Sequence, residues 1–196
     1  YTDPGYILFK ELESQIIAFR EKHSSDPKII LLENHGSFVS ADTTEEIKNI
    51  YDEIISSLSK EIKPLEEPQQ IPYNKVMHKA LPALRMLLAG EKPGIIRHRN
   101  NSLIAEFYKN QQEFHKISLP LTPDIIVYCK TRYMYVEHST TAEKIVESVR
   151  YQLPRFQEEY GFTPKMLIIK DMGVFSFAES YASAESALDI YEDLIK

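Results

Sequence analysis

The sequence predicts an α/β protein: a layered sheet with flanking helices, holding two copies, one degenerate, of a strand–turn–strand–helix unit. Three observations lead there. Short apolar runs alternate with longer stretches whose apolar residues recur at helical spacing. Turn-forming residues separate the two kinds of segment. Finally, Pro27-Lys28-Ile29-Ile30-Leu31-Leu32 returns as Pro164-Lys165-Met166-Leu167-Ile168-Ile169, an offset of 164 − 27 = 137 residues.

The elements follow in order. Tyr1-Thr2-Asp3-Pro4-Gly5 reads as a turn entering a helix, as in the interior of a longer chain. Leu8, Leu12, Ile16 and Phe19 then mark one face of a helix over 6–22. A buried strand over 28–33 is expected from Ile29-Ile30-Leu31-Leu32, because a continuous apolar run suits a strand covered on both faces. Asn34-His35-Gly36 is a turn, and Phe38-Val39 continues as a short strand. Thr43 and Glu46 form a capping box, which opens a helix over 43–59 with Ile47, Ile50, Tyr51, Ile54, Ile55 and Leu58 on its buried face.

Three prolines in Pro64–Pro72 mark a linker, giving a division into residues 1–63, linker 64–72 and 73–196. Beyond it a helix is expected over 74–90, kinked or divided at Pro82. Ile95-Ile96, Ile125–Cys129 and Tyr133–Val136 read as strands, with a polar helix over 102–115 between the first two. Ala142, Ile145, Val146, Val149, Leu153 and Phe156 define another amphipathic helix. Residues 165–170 form a buried strand and 183–195 a closing helix.

The repeat extends further. At the offset of 137, Gly36 meets Gly173, Phe38 meets Phe175 and Ala41 meets Ala178. Ile50–Ile55 matches Ile190–Ile195 at an offset of 190 − 50 = 140, which predicts a three-residue insertion between Ala178 and Ile190. His35 falls opposite Met172.

Composition narrows the classes. A net charge of −6 argues against a nucleic-acid footprint, which needs a clustered basic face. No apolar stretch approaches the roughly 20 residues that span a bilayer, and a cytoplasmic address is the default. The one cysteine, Cys129, lies in an apolar run and reads as a small buried hydrophobe rather than a reactive thiol.

His35 is the candidate chemical residue. At a strand end, next to a glycine that permits a tight turn, its ring is well placed for a metal ion. The plain alternative is a turn histidine bonded to a nearby carbonyl, since one histidine specifies no metal. Arg97-His98-Arg99 is the single tight basic cluster, suited either to a phosphate or to a salt-bridged strand end.

Taken together, Tyr1–Gly5, the helix after it, Ile30–Val39 with its Leu-x-x-His-Gly turn, and Asp42-Thr43-Thr44-Glu45-Glu46 resemble the class II (metal-dependent) aldolase/adducin family. The chain is similar in particular to its long bacterial rhamnulose-1-phosphate aldolase-like members, some of them fused to a short-chain dehydrogenase. Pro120-Leu121-Thr122-Pro123-Asp124 and Gly173-Val174-Phe175 resemble motifs of the segment that follows the aldolase domain there, although Ile125 stands where a histidine is expected. The resemblance implies that residues 1–63 end an aldolase-type domain and that 73–196 form a second, degenerate module. It also implies a sugar-phosphate substrate, a homo-oligomer, and a divalent metal, zinc by preference, with His35 as its third histidine ligand. The family takes its other two histidines and a catalytic carboxylate from a region ahead of the equivalent of Tyr1. Its adducin-like members keep the fold as a binding or assembly module without catalysis.

Overall fold

The computed structural model describes residues 5–33, 35–62, 65–90, 92–137 and 140–196. The expected turn at Tyr1–Pro4, along with Asn34, Pro64 and His138, lies outside the described residues. The architecture is mixed α/β with open sheets, and the chain divides into two compact units, Tyr1–Pro64 and Leu65–Lys196.

The first unit is a helix, a hairpin and a helix. Helix α1 (Tyr6–His23) ends where Ser24 turns left-handed and donates its N–H to the Arg20 carbonyl. Strands β1 (Ile29–Leu32) and β2 (Gly36–Val39) pair antiparallel, Ile29 opposite Val39 and Leu32 opposite Gly36. Helix α2 (Thr44–Glu61) starts on the expected box: the Glu46 N–H donates to Thr43 Oγ1 at 3.2 Å, and the Asp42 N–H donates to the Glu46 carboxylate at 3.2 Å. The expectation of a buried strand over 28–33 is corrected. Leu31 is 73% exposed and Ile29 44%, because the sheet has two strands and neither face is fully covered.

The second unit is built in three layers. Its sheet runs β3 (Ile95–Arg99), β6 (Gly173–Ala178), β5 (Met166–Ile169), β4 (Met134–Val136), antiparallel except for the β4–β5 pair. Alternation sends Leu167, Ile169 and Phe175 to one face, where α3 (Lys75–Ala89) and α7 (Ala142–Tyr160) pack with Met77, Leu84, Ile145 and Val149. Met166, Ile168 and Val174 point the other way. There α4 (Ser102–Tyr108), α5 (Gln111–His115), α6 (Pro123–Cys129) and α8 (Tyr181–Ile195) supply Ile104, Phe114, Cys129, Leu188 and Tyr191. Each such aliphatic side chain contributes roughly 1.5–3 kcal/mol by leaving water. Here the strand expected over 165–170 is buried along Met166–Ile169, as read.

Three other expectations change. Ile125–Cys129 is helix, not strand: Thr122 precedes Pro123 in the first turn, and the buried residues are Ile125 and Cys129, one turn apart, while Ile126, Val127 and Tyr128 are exposed. The helix over 102–115 is two helices, because Asn110 caps a new one by accepting from the Glu113 N–H at 2.9 Å. Of the two forms expected at Pro82, kinked or divided, the divided one is absent: α3 is one helix over Lys75–Ala89. The proline-rich stretch is not all linker. Gln69 and Ile71 exchange hydrogen bonds with Asn100 and Ser102 around a Gln70–Asn101 bridge, which ties residues 69–71 to the second unit.

The repeat is geometric as well as sequential. Ile29 opposite Val39 becomes Met166 opposite Ser176, the same register at the offset of 137. The His35 N–H donates to the Leu32 carbonyl at 3.2 Å, and the Met172 N–H donates to that of Ile169 at 2.9 Å. The left-handed cap Ser24 corresponds to Gly161, and the N-cap Thr43 to Ser180 (161 − 24 = 180 − 43 = 137). No insertion separates the copies, which corrects the expected three extra residues. Helix α8 is continuous from Ser180 onward, so the Ile-Tyr match at offset 140 is a near-turn slip along one helical stripe.

Candidate functional site

His35 occupies the turn of the β1–β2 hairpin and is exposed. Its position is fixed by backbone: its own N–H closes the turn on Leu32, and Gly36 follows at φ 153°, a conformation that disfavours a side chain. Among the described residues, no three His, Cys, Asp or Glu side chains gather where they could hold a metal ion. Catalytic zinc ordinarily takes three protein ligands. The described residues gather no such set, and His35 is a single exposed imidazole.

At the equivalent turn the second unit places Met172, which is buried. It belongs to the apolar cluster with Phe175 and Val136. Its carbonyl lies 2.7 Å from His98 Nε2, and that ring packs against Tyr73 and Phe175 at centroid distances of 4.9 and 4.6 Å. Burial pushes His98 below the usual imidazole range, and its bond to the Met172 carbonyl opposes this in part. A neutral ring donating from Nε2 fits both facts.

The basic cluster on β3 is a salt-bridged strand end. Arg97 Nε meets Glu185 at 2.8 Å, and Arg99 meets Glu185, Asp189 and Glu192 at 2.7, 2.6 and 3.0 Å. The guanidinium of Arg97 also lies over the Tyr181 ring, 4.5 Å from its centroid. Burial would raise the Glu185 carboxyl, but hydrogen bonds from Arg97 and Arg99 outweigh it and hold that group below the usual carboxylate range. These arginines are committed to α8, so the phosphate alternative has no support here. The sequence did carry the sign of it. Glu185, Asp189 and Glu192 fall at i, i+4 and i+7, one acidic stripe of the helix.

Cys129 is buried, and its Sγ lies 3.2 Å from the Ala187 carbonyl. Burial pushes the thiol up to about 12, which leaves almost no thiolate at neutral pH. Tyr128 is on the exposed side of α6, Tyr133 is buried and Tyr135 is half-buried on β4. No helix among the described residues is long and apolar enough to cross a membrane.

No protein-family model matches the chain, and no characterised protein matches its sequence.

Proposed function

We propose that residues 1–63 are the C-terminal part of a metal-dependent class II aldolase-type lyase, with His35 as one of three histidine ligands to a divalent ion, zinc by preference. The supporting observation is the placement of His35: an exposed imidazole on a backbone-fixed hairpin turn, one strand ahead of a boxed helix start. A metal there, when bound, supplies Lewis-acid chemistry to a ketose phosphate. The reaction is cleavage of a rhamnulose- or fuculose-1-phosphate-type substrate to a dihydroxyacetone-phosphate-like product and an aldehyde. The remaining ligands and the catalytic carboxylate come from outside these residues, so no step is assigned to side chains here. The same reading makes the protein a cytoplasmic homo-oligomer.

A second reading applies to residues 73–196, a non-catalytic binding or assembly module. It is favoured by Met172, a buried thioether where the other copy exposes an imidazole. Both readings meet one experiment on the protein extended upstream of Tyr1 in its own reading frame. Metal content and sugar-phosphate cleavage are measured for that protein, for His35→Ala and for Met172→Leu. Loss of both in His35→Ala alone is the expected result. Retention of metal and cleavage by His35→Ala refutes the ligand role.

A further inference from the structure

The two copies of the helix–hairpin–helix share register, turn and caps, yet they differ in cover. Leu31 is 73% exposed and Phe38 51%, whereas their equivalents Ile168 and Phe175 are 1% and 0% exposed. On the helices, Phe19 and Tyr51 are exposed where Phe156 and Leu188 are buried. These are not scattered apolar residues; they are the positions that form the two cores of the second unit. Helix α1 also bears a shallow open groove along its own surface, lined by Phe9, Leu12, Ile16 and Ile17 with the charged Glu13 and Arg20 at its sides.

What covers those positions in the second unit is known in detail. Strand β3 adds antiparallel to β6, β4 adds parallel to β5, and α3 lies along α7. All three come from residues 65–141, immediately ahead of α7 in the chain. By the 137-residue equivalence, β2 corresponds to β6, β1 to β5 and α1 to α7. Among the described residues, β1 and β2 pair with each other alone, so each has an edge of unpaired backbone groups. An edge of that kind, flanked by apolar side chains, is a template for strand addition.

We infer that the β1–β2 hairpin and the apolar face of α1 are the docking surface for a strand-and-helix module built like residues 65–141. It is supplied by polypeptide on the N-terminal side of α1, as residues 65–141 are supplied on the N-terminal side of α7. The module places one strand antiparallel to β2, one parallel to β1, and a helix along α1. The order of connection selects this occupant over a second copy of the chain: a twofold pairing of β2 with β2 gives the antiparallel neighbour but not the parallel one that β5 receives from β4. The inference stands on the repeat and not on the aldolase reading. It holds equally for a catalytic or a silent protein.

The test is amide exchange on the 196-residue chain and on the same chain extended upstream in its reading frame. In the 196-residue chain, amides of Ile29–Val39 should exchange at least about 100-fold faster than those of Met166–Ser176, reflecting locally low stability. Extension should slow them by at least about 10-fold. Leu31→Asp, which leaves the 196-residue chain folded because that position is exposed, should abolish the slowing. The inference is overturned if the extended chain exchanges like the shorter one, or if Ile29–Val39 is already protected in the 196-residue monomer. Protection that instead rises with concentration as the shorter chain dimerises assigns the surface to a second copy and overturns it as well.

Discussion

Gly36 and Gly173 occupy the same place in the two hairpins, and alanine at each should have very different effects. Gly173 has φ 111°, and a Cβ there would meet the Arg99 carbonyl at 2.6 Å, His98 Nε2 at 2.8 Å and Asn100 Cβ at 2.9 Å. Two of the three are backbone or near-backbone atoms of β3 and the residue after it, so relief requires moving the strand. The backbone conformation alone costs roughly 1–2 kcal/mol for a residue with a Cβ. Overpacking adds typically 1–3 kcal/mol, and the His98 bond to the Met172 carbonyl, about 1 kcal/mol, is put at risk. Gly173→Ala should therefore destabilise the second unit by about 2–5 kcal/mol. Gly36→Ala meets nothing within 4 Å at φ 153°, which leaves only the backbone share, about 1–2 kcal/mol, in the first unit. Urea unfolding followed by amide exchange, which reads the two units separately, measures both. A Gly173→Ala protein within about 1 kcal/mol of the parent, inside the error of a backbone effect alone, would show that β3 does not press on the turn.

Two further outcomes concern single groups, the part-buried His98 and the buried Cys129. Burial holds His98 neutral in the fold, so between its lowered value and the unfolded value near 6.5 the unfolded chain binds more protons. Its share of stability is thus complete above about pH 6.5 and is lost as pH falls through the folded value. The urea midpoint of the parent should drop over that window relative to His98→Gln, which keeps a donor for the Met172 carbonyl; parallel profiles would refute the assignment. Cys129, with its thiol pushed up to about 12, should resist iodoacetamide at pH 8 in the folded protein and react promptly in urea. Equal rates in both states would mean that α6 does not enclose it.

Where the sequence misled, the reason is the same each time: a local pattern has two readings until something packs on it. Ile125-Ile126-Val127-Tyr128-Cys129 is short, apolar and β-branched, which suits a covered strand. Only Thr122-Pro123-Asp124, a helix-start signature, distinguishes it from a strand. Ile29–Leu32 and Met166–Ile169 have nearly identical character, yet the first alternates exposed and half-buried while the second is buried throughout. Burial is set by neighbouring strands and helices, and no residue within the run encodes them. The spans of α2 and α7 were legible from their apolar stripes, but the face of α2 expected to be buried holds no buried residue: Tyr51, Ile55 and Leu58 are exposed. His35 was legible as a turn residue from Gly36. Its chemistry was not, because the partners of a metal ligand come together only in three dimensions. The fate of Arg97 and Arg99 was readable in principle from the acidic stripe of α8. That required knowing that β3 lies beside that helix.

The bonds between Gln69–Ile71 and Asn100–Ser102 bear on how the chain transmits force. The Gln69 N–H donates to Ser102 Oγ at 3.0 Å, the Ser102 N–H to the Gln69 carbonyl at 2.9 Å, and the Ile71 N–H to the Asn100 carbonyl at 3.2 Å. Bonds of an antiparallel bridge run across the strand direction. Along the chain, a pull on the entering segment meets these bonds before it meets α3. The cap of α3, where Asn74 accepts from the Val76 N–H, feels the pull only after that clasp has given way. The chain that enters the second unit is thus tied at the periphery by three bonds, ahead of α3 and the core.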